Sequence, residues 1–490
     1  MNLSADMKLA DLPSDAVVSA AGVKGAVDRP SGPRYGRPSD HYGPPTALFS
    51  RDLARLEYNL KYPVVVAPDP GTVEFAFQLI TTTTRFFDNE TSRENPVRVI
   101  LEAALGSKGQ WQTSLSDKTT RPNGVWLESF FIYLVVEMKN EPGLGGDPFL
   151  QGLIVYSKII AQEEVLLPHT RPTPLNCFKQ YAPYLKSSNM PIVLLAIAGN
   201  VLTVSAAVFT DAVYANKLVS IDLEFGHQGS ENVLRVARAF TAIRECVGGL
   251  RKLYRNLKSS SRIPQPNRVM WPNPTPNPPD SAEGIQKLGF FAKVDCLKGT
   301  PITRAPIDED NRRHAIYLAK MRSEDGASTT DVLVKFTTTY NEAAHRLLAN
   351  HDPPLAPTLY SCKPVIGNMY MVVMQYIPES EGGSLRKRSM KRSILDTIRR
   401  DVTRALELLH EQEFVFGDLQ ELNVLYLASE DRAMLVGFDD VGREGKDRYS
   451  CCLGPEAGLG VGKWQIMEKI HDSKNFERLM EQLYEQLGLQ

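Results

Sequence analysis

Asp418 and Asn423 lie in FGDLQELN, a spacing that sets a carboxylate and an amide on one short turn. The pair suits phosphoryl transfer. The carboxylate orients an attacking hydroxyl and accepts its proton, while the amide helps hold magnesium against the charge on the phosphates. Lys335 ends the β-prone run Val332-Leu333-Val334 and offers a cation to those phosphates, and Glu342 opens the next expected helix, placed to pair with it. A second constellation sits in FFIYLVVEMKNE. Glu137 and Lys139 at the end of that apolar run share one face of a strand, because strand side chains alternate. This E-x-K pattern suits metal-assisted hydrolysis, in which an upstream Asp and the Glu hold a divalent ion and the Lys activates water. The upstream slot is Pro122-Asn123, so a neutral amide stands where the second carboxylate belongs.

The elements around Asp418 fit the first chemistry. Asp418-Leu419 followed by Asn423 has the D-L-x-x-x-N spacing of a protein-kinase catalytic loop. Val424 to Leu427 and Met434 to Val436 read as a hairpin closed by Ser429-Glu430-Asp431. The second strand should deliver a metal-binding Asp just before Phe438, but Gly437 stands there, followed by Asp439 and Asp440. On this reading Asp439 substitutes by reaching back, and Gly437→Asp restores the site. Phe416-Gly417 replaces the His-Arg pair expected before the catalytic Asp.

Further upstream, Phe290 to Leu297 and His314 to Met321 read as paired strands across a polar loop containing only Gly299, with no Gly-rich phosphate cradle. Tyr370 to Met374 is an apolar strand running into Gln375-Tyr376-Ile377, which resembles the hinge where adenine meets backbone groups. Ile394 to His410 forms an amphipathic helix leading into the loop. The helix through Phe476, Leu479 and Leu483 closes the fold, with Asp472 bracing the loop backbone.

The first half reads differently. Residues 1–45 are rich in Pro, Gly, Ser and charge, and are expected to form a disordered tail. Helical patterns follow around Leu48 to Leu60, Thr72 to Thr83 and Arg98 to Leu105, the last carrying Glu102. Val233 to Leu257 has helical spacing and a basic last turn. The run Ser259 to Pro279 is dense in proline and marks a linker. The expected domains are therefore a tail at 1–45, an α/β nuclease-like domain at 46–258, a linker at 259–284 and a kinase-like domain at 285–490.

The chain has 490 residues, of which 42% are hydrophobic and 23% charged, enough for two or three cores. A formal net charge of -1 leaves nucleic-acid or membrane binding to local patches. The cluster Arg386, Lys387, Arg388, Lys391 and Arg392 is one such patch, read as a solvated face, a nuclear-import signal or a nucleic-acid contact. Six cysteines without a CxxC pair fit a reduced intracellular compartment, cytoplasm or nucleus. Met190 to Phe209 has the length of a membrane span, but Gly199-Asn200 divides it into two strands of a hairpin, so no membrane partner is expected.

The order Lys335, Glu342, MVVMQYIP, FGDLQELN, LVGFDD and HDSKNFERL resembles the fungal-type protein kinase family. In that family a nuclease-like region with a VVEMKNE-like strand often precedes the kinase, as in Crinkler-type relatives. The resemblance implies an α+β chain: a two-lobed minimal protein-kinase-like domain preceded by an α/β restriction-nuclease-like domain. It implies ATP and Mg2+ as cofactors, Asp418 as catalytic base, Asn423 and Asp439 on the metal, and Lys335, Glu342, Gln375 and Tyr376 around the nucleotide. It also extends the nuclease-like set of Asn123, Glu137 and Lys139 to Gln151. The expected function is an ATP-dependent phosphotransferase acting on a Ser/Thr hydroxyl of a protein substrate. The alternative is a pseudokinase joined to a degenerate nuclease fold and serving as a binding module, and an active metal nuclease is a third reading.

Overall fold

The computed structural model describes residues 24–25, 32–37 and 41–487, apart from 114–119, 144–145, 162–183, 186, 228, 260–269, 282–284, 286, 296–299, 304–306, 308, 324–325, 386–390 and 452–459. Arg386, Lys387 and Arg388 of the basic cluster, Gly299, and most of the expected tail therefore lie outside the described residues. The described part is mixed α/β. It divides into two compact units, Met1–Gly284 with Arg304–Arg313, and Ile285–Thr303 with His314–Gln490.

The first unit begins with helices α1 (Arg51–Lys61), α2 (Pro70–Thr83) and α3 (Glu90–Leu105). Ser50, Asp69 and Asn89 cap them, each accepting a backbone N–H from the first turn. Six strands follow: β1 (Gln110–Trp111), β2 (Gly124–Glu128), β3 (Phe131–Lys139), β4 (Ile192–Ala198), β5 (Val201–Phe209) and β6 (Val213–Asp222). They pair in chain order, and only β3 and β4 run parallel. Helix α4 (Pro148–Ala161) lies between those two strands in sequence, the crossover that a parallel pair requires. The long α5 (Gly229–Ser259) closes the unit, and its Tyr254 ring stacks on Phe131 with centroids 5.0 Å apart.

The apolar run at Met190 to Phe209 is the β4–β5 hairpin, turned at Gly199 with φ +54. No helix among the described residues is long and apolar enough to cross a membrane. Two expectations change. Arg34 is buried and exchanges backbone hydrogen bonds with Val213 and Ala215 of β6, so residues 32–37 are not part of a free tail. The proline-rich stretch is docked from residue 270 onward: Met270 and Thr275 are buried, Asn273 N–H donates to the Leu48 carbonyl, and Asp280 pairs with Arg55. Proline removes donors without preventing burial of its ring, which composition alone does not reveal.

The second unit opens with β7 (Leu288–Val294), β8 (Pro301–Ile302), β9 (Ile316–Arg322) and β10 (Thr329–Thr337). Helix α6 (Glu342–Ala349), β11 (Leu359–Val365) and β12 (Met369–Gln375) follow. The sheet order is β11-β12-β10-β9-β7-β8, antiparallel throughout. Along β10, Val332, Val334 and Phe336 are buried, which puts Leu333 and Lys335 together on the other face. After β13 (Gly382–Ser384) comes α7 (Arg392–Glu411), whose Leu395, Ile398, Val402, Leu406 and Leu409 enter one core with Phe476, Leu479, Met480 and Leu483 of α8 (Lys469–Gln486). The hairpin β15 (Val424–Leu427) and β16 (Arg432–Leu435) forms where alternation placed it. A two-residue bridge joins β14 (Phe414–Val415) to β17 (Gly442–Arg443). That bridge fixes the site, because the chain leaving β14 and the chain entering β17 must run side by side.

Candidate functional site

The loop after β14 is anchored from below by Asp472 of α8. This fully buried carboxylate accepts the N–H groups of Phe416 (2.7 Å) and Gly417 (2.9 Å) and contacts His410 Nε2 at 3.0 Å. The bracing expected of Asp472 is thus present. Gly417 takes φ +83, and a Cβ there would lie 2.5 Å from the Asp440 carbonyl oxygen, so the two neighbouring strands of chain approach closely only because residue 417 has no side chain.

Asp418 lies above this anchor. Its two oxygens each accept from Gln420 Nε2 at 2.9 Å, and Oδ2 also accepts from Asn423 Nδ2 at 2.6 Å. Burial pushes its pKa up first, these donors pull it down, and Asp439 raises it again. Asn423 Nδ2 also donates to the Asp418 carbonyl at 2.8 Å, which commits the amide nitrogen to the loop and leaves its oxygen to face residue 437. Asp439 pairs with Lys335 of β10, and its other oxygen is buried without a partner. Asp440 is pushed up to about 6 by burial and by the neighbouring Asp418 and Asp439, against the pull of Lys335.

Two expectations are corrected here. Lys335 does not pair with Glu342; Glu342 bonds Arg346 one turn along α6 at 2.8 Å. Nor does position 437 hold a vacancy for a carboxylate. Gly437 has φ +85, and a Cβ would sit 2.4 Å from Asn423 Oδ1, so the carboxylate that meets Lys335 is Asp439 instead. At the expected hinge, Gln375 is exposed, and both its N–H and its side-chain oxygen are bonded to Thr358. Tyr376 packs on Ala292, Val294 and Leu318.

The first unit carries the other cluster. Glu137 at the end of β3 is buried, accepts the backbone N–H of Asn123, and is pushed up to about 8 by desolvation. Asn123 Oδ1 accepts Met138 N–H at 2.8 Å, and its Nδ2 donates to Glu94 of α3 at 3.0 Å. Lys139 pairs with Glu90 at 2.8 Å. Gln151 is buried on α4, where neighbouring Gly152 faces the Glu137 side chain. Glu94 and Glu90 were missed by sequence reading; their helix precedes the motif, and no spacing rule links them to Asn123. Among the described residues no group of three His, Cys, Asp or Glu side chains is arranged to hold a metal.

No family model matches the chain, and no curated protein matches it. Among solved structures, the Cydia pomonella granulovirus kinase PK-1 is similar at 17% identity and a TM-score of 0.28. The match covers 34% of this chain and 63% of the viral one. A likeness of that size carries no argument about fold or chemistry, which rest on this chain's own residues.

Proposed function

We propose that residues 285–490 form a protein-kinase-like ATP-dependent phosphotransferase module whose acceptor is a Ser/Thr hydroxyl. The observation that carries this reading is the meeting of Lys335 and Asp439 beside Asp418, on a loop braced by a buried carboxylate from the last helix. Lys335 is the cation for the phosphates. Asp418 orients the hydroxyl and takes its proton: a carboxylate has about four acceptor positions, and Gln420 and Asn423 occupy three here, leaving room for one more donor.

The unpartnered, buried Asp439 oxygen is the feature that fits magnesium, and Asp439 with the Asn423 amide oxygen would hold it. When bound with ATP, magnesium supplies charge neutralisation at the phosphates. Lys335, beside Asp439, would hold the phosphates. The second reading, a pseudokinase that binds without turnover, draws on the Lys335–Asp439 pair itself, which occupies both groups. For the first unit we favour a nuclease-like scaffold without hydrolysis, since the Asn123 amide oxygen, the atom that would face an ion, accepts Met138 N–H instead.

Thermal unfolding with ATP, with and without magnesium, tests the proposal. ATP at a hundred times its dissociation constant should add about 2.7 kcal/mol. ADP formation that Asp418→Asn lowers by about 10² or more supports transfer. Stabilisation without ADP formation supports the pseudokinase, and no stabilisation removes both.

A further inference from the structure

Lys335 and Glu342 of α6 do not meet, but Asn341 at the start of that helix reaches the chain beside Asp439. Asn341 caps α6 by accepting Ala344 N–H at Oδ1, 3.0 Å. Its Nδ2 donates to the Val441 carbonyl at 3.2 Å, and its backbone N–H donates to the Phe438 carbonyl at 2.9 Å. These bonds grip the chain on either side of Asp439 and Asp440. On the other side the Asp440 carbonyl lies so close to Gly417 that a Cβ there would sit 2.5 Å from its oxygen.

Within α6, His345 stacks flat on Phe438, with centroids 4.5 Å apart and planes within 5°. Its Nε2 lies 2.7 Å from the Pro357 carbonyl, which can only accept, so Nε2 carries the proton and Nδ1 accepts from the Tyr340 hydroxyl at 2.6 Å. Burial lowers its pKa to about 4, so the ring stays neutral. The stack holds Phe438 sideways, and the Asn341 amide holds Val441 three residues further on.

We propose that Asn341 is a positioning residue: its side-chain bond to Val441 couples helix α6 to the Asp439–Lys335 contact, in place of an ion pair between Lys335 and the helix. The inference rests on the phosphotransfer reading for its functional meaning, though the coupling itself is a property of the folded chain.

The cap and the tether are separable by substitution. Asn341→Ser keeps an oxygen that caps the helix but has no N–H to reach Val441, whereas Asn341→Ala loses both. In the full chain, two rates are measured by mass spectrometry: acylation of the Lys335 amine, and deuterium exchange of the peptide containing residues 438–441. Exchange within α6 and the unfolding temperature serve as folding controls. Asn341→Ser is expected to leave the controls near wild type and to raise both rates about fivefold, the equivalent of one neutral hydrogen bond. Asn341→Ala should raise them similarly and also loosen α6. Asp439→Asn, which removes the partner of Lys335 directly, sets the upper limit of labelling. Wild-type labelling and exchange in Asn341→Ser overturn the proposal, as does equal loosening of α6 and the 438–441 segment in that variant. Wild-type stabilisation by ATP is followed separately; its absence defeats the phosphotransfer reading and leaves the coupling result standing.

Discussion

Asn123 in the first unit and Gly437 in the second both stand where a carboxylate was expected, and the surroundings answer those losses differently. Around Asn123 the cluster closes: the amide donates to Glu94, accepts from Met138 N–H, and Glu137 is left buried with its proton favoured. Around Gly437 the charge moves along the chain, so that Asp439 meets Lys335 and keeps one oxygen unpartnered. An amide that replaces a ligand satisfies its neighbours and ends the need for an ion. At Gly437 the backbone is left-handed and Asn423 fills the side-chain space, and the carboxylate that meets Lys335 lies two residues further on.

The largest expected effect tests the closed cluster. Glu137 has a folded pKa near 8, above its ordinary 4.5. Its neutral form is the one the fold prefers, so its contribution is fully present below about pH 4.5 and is lost as pH rises through about 8. Glu137→Gln should therefore match wild type in acid and exceed it above about pH 8, by at most on the order of 4 kcal/mol in denaturant titrations. A pH-independent difference would mean that Glu137 is solvated or bound to a cation.

Next in size is Gly437→Ala. A side chain at φ +85 that also overlaps Asn423 should cost about 3 kcal/mol of stability. Gly437→Asp should cost at least as much and should fail to raise ADP formation. A gain of activity in Gly437→Asp would restore the vacancy reading and dissolve the contrast with Asn123.

Asp439→Asn should weaken magnesium-dependent ATP binding about tenfold, or about 1.4 kcal/mol, with little change in binding measured without magnesium. Stronger binding in both conditions would make Asp439 a partner of Lys335 alone, since its loss frees the ammonium for the phosphates. The smallest effect is expected at Asp440, whose pKa is raised to about 6 from 3.8. Its contribution is present below about pH 3.8 and lost by about pH 6, so Asp440→Asn should stabilise the protein at neutral pH by only about 1 kcal/mol once solvent screening is allowed for. No change across that window would place the carboxylate in bulk water.

What could be read from the sequence follows from how local each signal is. The β15–β16 hairpin, the split of Met190 to Phe209 and the start of α6 at Glu342 depend on alternation or on a few adjacent residues, and they fall close to where those patterns put them. Asp472 was legible from its place beside His471 in the first turn of an amphipathic helix whose Phe476, Leu479 and Leu483 share one face. The partner of Lys335 was not, although Arg346 stands one turn after Glu342 and offered a local competitor for it. Glu94 was beyond reach because its contact with Asn123 is made only when α3 and β2 are brought together. Gly437 was read as a missing ligand, since nothing in a sequence says that φ is positive or that an amide fills the space above it.

The three donors that converge on Asp472 also set an order of assembly. The sheet of the second unit and helix α7 are complete well before residues 469–486 leave the ribosome, and domains begin to fold as they are made. Until α8 docks, the Phe416 and Gly417 amides and His410 lack the carboxylate that fixes them. The loop bearing Asp418 is therefore finished last, and a nascent chain can hold a nearly complete second unit while that loop is still unbraced.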